Sequence, residues 1–255
     1  DTYRRQGSGG RGVIGSDTKE GDFIEHFFVA STHDYLLVFT NSGKCYWLRV
    51  YDIPNMSRQS RGRNIVNLLN LGRQKVTSII NVRGLTDSDE DERQLVMATR
   101  NGIVKKSSLS DYSHPRTSGV IAVKLADDDG LIGVALTEGK SDIFLGTSDG
   151  MTIRFEETQV RSMGRVSRGV KGMVVVDSGS DGSLLTVCEK GFGKRTGLED
   201  YRIQSRGGVG IINIKTSDRN GKVVSLKGVE DKDEVMLITS QGIVMRTGLE
   251  EIRQI

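Results

Sequence analysis

Apolar residues along the chain come in short runs of four or five, and five of these runs close on one polar signature: Thr or Cys, two further residues, then Gly. The copies are residues 36–43 (LLVFTNSG), 95–102 (LVMATRNG), 143–150 (IFLGTSDG), 184–191 (LLTVCEKG) and 235–242 (VMLITSQG). Runs this short, ended by a glycine turn, are strand length rather than helix length and predict β-hairpins. Four residues after each turn glycine stands Trp47, Lys106, Arg154, Arg195 or Arg246, so four of the five second strands are expected to end in a cation.

A second element follows at a steady interval: Ser60-Arg61-Gly62-Arg63, Thr117-Ser118-Gly119-Val120, Ser167-Arg168-Gly169-Val170 and Ser205-Arg206-Gly207-Gly208, with a further copy at Ser8-Gly9-Gly10-Arg11-Gly12. Apolar strands such as 120–125 and 131–137 come after these boxes, giving about four strands per unit. Units of roughly 40–50 residues with four strands apiece are the signature of propeller-type blades. One unit is short, since residues 173–176 form the only strand between Gly169 and the next hairpin.

Composition agrees with a turn-rich β protein: 32 of 255 residues are Gly and 2 are Pro, and the glycines follow no three-residue period. The net charge of +3, from 36 basic and 33 acidic residues, is too small to name a partner. Its placement says more. Acidic runs at 87–92, 127–129 and 230–234 fall in turns beside the hairpins, whereas the boxes are basic, with Arg58, Arg61 and Arg63 in one and Arg161, Arg165, Arg168 and Lys171 around another. In a radial arrangement the boxes share one position on every blade and form a positive band.

Other chemistry finds little support. Gly7 to Gly12 matches G-x-G-x-x-G, but no strand precedes it and no helix follows. Gly139-Lys140-Ser141 lacks the upstream glycine of a phosphate loop and reads as a turn. His26, His33 and His114 show no ligand spacing, so no metal site is expected; Cys45 and Cys188 sit in apolar runs as small buried hydrophobes, which suits a reducing compartment. No nucleophile stands out, and no catalytic residue or cofactor is assigned. No apolar run approaches the ~18 residues of a membrane span, so a soluble, cytoplasmic chain is expected. The basic glycine boxes remain. Glycine lets backbone N–H groups approach a phosphate while flanking cations supply charge; the bland alternative is a blade corner with solvated arginines.

Gln6-Gly7-Ser8-Gly9-Gly10-Arg11-Gly12 resembles the box of the C-terminal domain family of DNA gyrase A proteins, which reads Gln, two basic residues, Gly-Gly, a basic residue, Gly. Residues 29–34, 97–106 and 191–196 are similar to that family as well, and the resemblance covers essentially the whole chain. It implies a β-pinwheel of five to six four-stranded blades that exchange strands with their neighbours, with residues 1–255 as a single domain that starts and stops inside the family's unit. It also implies a basic rim that wraps double-stranded DNA for a bacterial, nucleoid-associated type II topoisomerase. The catalytic tyrosine and the ATPase component of gyrase would then lie outside this chain. Gly7 and Ser8 depart from the two basic positions, with Arg4 and Arg5 just upstream, which keeps the topoisomerase IV paralogue, with weaker wrapping, as the alternative. A propeller used as a protein scaffold is the rival of another class. The expected DNA-binding residues are Arg4, Arg5, Gln6, Gly9, Gly10, Arg11, Gly12, Arg61, Arg63, Lys106, Arg154, Arg168, Lys171, Arg195, Arg206 and Arg246.

Overall fold

The computed structural model describes residues 13–14, 26, 29–56, 60, 63–85, 92–171, 175–176, 182–239 and 243–255, with backbone alone at 13–14, 171 and 175–176. In chain order the strands are β1 (Val13–Ile14), β2 (Tyr35–Thr40), β3 (Lys44–Arg49), β4 (Val76–Val82), β5 (Gln94–Thr99), β6 (Ile103–Ser108), β7 (Val120–Ile121), β8 (Leu131–Thr137), β9 (Asp142–Gly146), β10 (Met151–Glu156), β11 (Val170–Lys171), β12 (Val175–Val176), β13 (Ser183–Cys188), β14 (Gly193–Gly197), β15 (Ile211–Ile212), β16 (Val223–Val229), β17 (Glu234–Ile238) and β18 (Ile243–Gly248). Helix among the described residues is confined to single 3-10 turns. One follows each hairpin: Val50–Asp52, Leu109–Tyr112, Glu157–Gln159, Leu198–Asp200 and Leu249–Glu251.

The recurring turn has a simple cause. The glycine N–H bonds the carbonyl three residues back, as in Gly43 to Thr40 and Gly102 to Thr99, each 2.9 Å. The Thr hydroxyl then accepts the N–H that follows the glycine, from Ile103 to Thr99, Met151 to Thr147 and Ile243 to Thr239, at 3.1–3.2 Å. Glycine is required because the turn places it at positive φ, +75° at Gly43 and +86° at Gly150.

Five antiparallel sheets result: β4-β2-β3-β7, β8-β5-β6-β11, β12-β9-β10-β15, β16-β13-β14, and a fifth of β17, β18 and β1. Their strand order shows the exchange. After hairpin β5–β6 the chain crosses to the preceding sheet, adds β7 to the outer side of β3, and returns as β8 to its own sheet. Hairpins β9–β10 and β13–β14 do the same, laying β11 on β6 and β15 on β10. Strand β1 lies on β18 in the same way, so the first described strand edges the last described hairpin. The register never varies: Val120, Val170, Ile211 and Val13 each pair with the residue two past a turn glycine, namely Cys45, Val104, Thr152 and Val244. The short unit expected at residues 173–176 lies partly outside the described residues; its described part, β12, pairs with β9.

The core lies between the sheets. Alternate residues of one central strand enter different cores: Leu95 and Met97 of β5 pack with Leu37 and Phe39 of β2, while Val96 and Ala98 pack with Ile143 and Phe155 of the next hairpin. Both faces of β2 and β5 are therefore buried, which explains runs that are continuously apolar rather than alternating. Strands β4 and β8 meet where adjacent blades converge, joined by Val134 N–H to the Ser78 hydroxyl at 3.0 Å. The exchanged strands β7, β11 and β15 occupy the opposite, outer edges. Cys45 and Cys188 are buried free thiols, as their apolar contexts suggested.

Candidate nucleic-acid interface

The crossings over 163–169 and 204–210 are short segments with both ends pinned. Beyond the 3-10 turn, Met163 N–H donates to the Lys106 carbonyl, Gln204 to that of Arg154 and Ile255 to that of Arg195, all at 2.8 Å. These parallel stitches tie the chain to the second strand of the preceding hairpin. The segment then re-enters that strand's edge at a glycine with positive φ: Gly169 at +98° and Gly210 at +80°. A Cβ there would stand 2.2 Å from the Val104 carbonyl oxygen and 2.7 Å from that of Thr152; at Gly119 it would stand 3.0 Å from that of Cys45. These glycines are thus required by backbone approach. Turns bridge the span, with Ser167 N–H to Gly164 O and Gly208 N–H to Ser205 O, both 3.1 Å, and Gly119 N–H to Arg116 O at 2.9 Å.

The crossings carry arginines. Arg116, Arg161, Arg168 and Arg202 are exposed and Arg165 and Arg206 half-buried, and none of them has a carboxylate partner among the described residues. Arg206 is held on its inner side: its backbone N–H donates to Gln159 Oε1 at 2.8 Å and its Nε to the Gln159 carbonyl at 3.2 Å. Arg63 is exposed beside the second box.

The hairpin-end cations are placed differently. Lys106 Nζ lies 3.3 Å from Glu157 Oε1 and 3.4 Å from the Glu157 carbonyl, on the 3-10 turn of the next hairpin. Arg154 pairs with Asp142 and donates to the carbonyls of Leu198 and Tyr201, closing over the Phe144 ring. Arg195 pairs with Asp231 and Arg246 with Glu234. Trp47 shows the shared geometry without charge, its indole N–H donating 2.7 Å to the Tyr112 carbonyl. In three successive blades this position thus clamps a backbone carbonyl of the 3-10 turn of the next blade, that of Tyr112, Glu157 or Leu198. Lys106 and Arg195 are buried, not the surface charges their repeat position suggested.

Of the other expected residues, Arg4, Arg5, Gln6, Gly9, Gly10, Arg11, Gly12 and Arg61 lie outside the described residues, and Lys171 contributes described backbone to β11. Sequence reasoning left Arg116 and Arg202 out and aligned the boxes on Ser-Arg-Gly. The structure aligns them on the glycine that opens the exchanged strand. In that register Gln204-Ser205-Arg206-Gly207-Gly208-Val209-Gly210 before β15 corresponds to Gln6 to Gly12 before β1. The pattern Gly, apolar, apolar was the signal that could have found it.

Comparison with known proteins bears on the whole chain. The family described as DNA gyrase C-terminal domain, beta-propeller, matches residues 1–31, 34–83, 93–138, 141–181, 182–230 and 233–255. The DNA gyrase A protein of Haloquadratum walsbyi is 42% identical over 99% of this chain, and that of Salmonella typhimurium 42% over 98%. The chain spans only 31% and 29% of those relatives. A solved structure of a DNA gyrase A C-terminal domain superposes with a TM-score of 0.87 at 28% identity, covering all of this chain and 85% of that one. The C-terminal domain of a DNA topoisomerase IV gives 0.73 at 26% identity, covering 88% and 72%.

Proposed function

Because the chain belongs to the DNA gyrase C-terminal domain family, a β-propeller, we propose that it binds duplex DNA without sequence preference and bends it over the outer crossings. The observation that carries this reading is the division of labour among the cations. Those ending the hairpins are matched by carboxylates within the fold, whereas the arginines on the crossings that lead into β7, β11 and β15 have no carboxylate partner among the described residues. Phosphates spaced along a bent duplex require cations spaced along a curved surface. Bending a 20–30 bp site by 40–90° costs about 1–6 kcal/mol, which those contacts offset.

The interface consists of Arg63, Arg168 and Arg206, with Arg116, Arg161 and Arg202 beside them, extended by Arg4, Arg5, Arg11, Arg61 and Lys171 and by the backbone of Gln6, Gly9, Gly10 and Gly12. Lys106, Arg154, Arg195 and Arg246 support it from within. No α-helix among the described residues is available to read the major groove, so discrimination rests on DNA deformability.

Residues 1–255 act as one DNA-wrapping unit of a gyrase A protein. Its partners in the bacterial cytoplasm are the remainder of that protein and the ATPase component of gyrase. Strand cleavage belongs to the catalytic core outside this chain, and the unit needs no cofactor of its own. Among the described residues no helix is long and apolar enough to cross a membrane.

The test is a ligation assay in which the chain is bound to nicked plasmid, the nick is sealed, and the linking number is read after protein removal. A positive shift supports chiral wrapping. Binding without a shift favours the weaker, topoisomerase IV-like behaviour, and absence of binding overturns the proposal.

A further inference from the structure

Lys105 stands three residues past turn glycine Gly102, on β6. The same position elsewhere forms the floor beneath a crossing. A Cβ on Gly119 would meet the Tyr46 ring at 2.8 Å, and one on Gly208 would meet Ile153 Cδ1 at 3.2 Å. In the 163–169 crossing that floor is a buried lysine, 1% exposed, where the same position past Gly191 holds the half-buried Lys194. The Lys105 ammonium donates to two backbone carbonyls, those of Ala122 and Arg165. Ala122 immediately follows β7, and Arg165 lies in the loop that carries Arg168, so one side chain ties two consecutive crossings together.

We infer that Lys105 is a positioning residue of the DNA interface, fixing the middle of the 163–169 crossing so that Arg168 meets the phosphate backbone. This inference rests on the DNA-binding reading above. Between the stitch at Met163 and the close approach at Gly169 the segment is held at two carbonyls, that of Ser167 by the Lys124 N–H at 3.1 Å and that of Arg165 by Lys105, which is the side-chain contact to its centre.

Burial lowers the Lys105 pKa to about 8, with Arg165 adding to the effect and Asp111 opposing it. The other titratable groups in this neighbourhood, Cys45 and Tyr112, are pushed up by burial and stay neutral. Two trends then run in opposite directions. Between pH 8 and the ordinary lysine value of 10.5 the unfolded chain holds more protons, so folding stability rises with pH. Over the same rise the charge-assisted bonds to the crossing weaken, so DNA affinity falls. A residue that served the fold alone would make affinity follow stability.

The experiment measures binding of the full chain to a labelled duplex of mixed sequence from pH 7 to 9 at fixed salt, for the wild type, Lys105→Met and Lys105→Gln. The wild type should lose affinity about threefold to tenfold across this range. Lys105→Met should start that much weaker at pH 7 and be flat, and Lys105→Gln, which keeps a neutral donor, should be flat and intermediate. A flat wild-type profile overturns the inference without any variant. So does a folded Lys105→Met chain that keeps both the affinity and the pH dependence. If Lys105→Met fails to fold, the wild-type profile and Lys105→Gln decide. A wild type that binds no DNA at any pH overturns the DNA-binding reading itself, and this inference with it.

Discussion

Lys106 on β6 and Glu157 on the 3-10 turn after β10 form a buried ion pair across a blade boundary, 3.3 Å apart. The carboxylate also accepts the Thr137 hydroxyl at 2.6 Å and the Ser141 N–H at 3.1 Å. Replacing Glu157 by Ala leaves a buried ammonium and two orphaned donors. The expected loss is about 3–5 kcal/mol, read as a lower urea midpoint. Lys106→Met combined with Glu157→Ala should recover part of it, because the unpaired charge is then gone.

Two turn glycines at the same repeat position should differ in their tolerance of alanine. Gly191, at φ +78°, has open space around its missing side chain, so Gly191→Ala should cost about 1–2 kcal/mol from backbone conformation alone. At Gly150 a Cβ would also stand 2.1 Å from the Ile214 carbonyl oxygen, at the end of the β15 crossing. Gly150→Ala should therefore destabilise clearly more, and thermal melts of the two variants side by side check the order.

Arg168→Ala with Arg206→Ala should weaken duplex binding uniformly across sequences at a stability cost of about 1 kcal/mol or less, from the exposed Arg206 bond to the Gln159 carbonyl. The slope of log affinity against log salt should fall by about 0.9 per phosphate contact removed. Arg154→Ala, by contrast, removes the clamp on Leu198 and Tyr201 and should lower the melting temperature first. A salt titration and a melt on each variant separate the two roles.

Acid should loosen the first blade through Asp34. The Ser31 N–H, 2.9 Å from its carboxylate, holds the Asp34 pKa below its ordinary value of 3.8, with Asn81 and Arg83 helping. Such a group stabilises the fold above pH 3.8 and loses that contribution as pH falls through the lower, folded value. Asp34→Asn should flatten the acid limb of a pH–stability curve, measured by urea melts from pH 5 downward.

The hairpins were legible because their cause is local: Thr, Gly and the residue after the Gly make the bonds that define the turn. The blade architecture followed from the period alone. The strand exchange was not legible from the residues, since β7, β11 and β15 are two residues long and carry no periodicity of their own. The hairpin-end cations misled for a related reason. What turns Lys106 inward is Glu157, fifty-one positions later on another repeat, and no local pattern connects them. Of the box glycines, read as either phosphate cradles or blade corners, Gly119 and Gly169 are corners, packed against the Cys45 and Val104 carbonyls.

Strand exchange also sets the order in which this chain can finish folding. While it is being synthesised, β3 can pair with β2 at once, but Cys45 gains its outer partner only when Val120 arrives, after the whole β5–β6 hairpin has been made. The β5–β6 and β9–β10 hairpins are in the same position with respect to their successors, which supply β11 and β15, whereas β18 takes its partner from β1, made first. Until the next hairpin emerges, the newest one carries a bare strand edge, the feature that invites pairing with a foreign chain. A chain released after the first, second or third of these hairpins would thus carry a last sheet that is sticky, however well the earlier ones have folded.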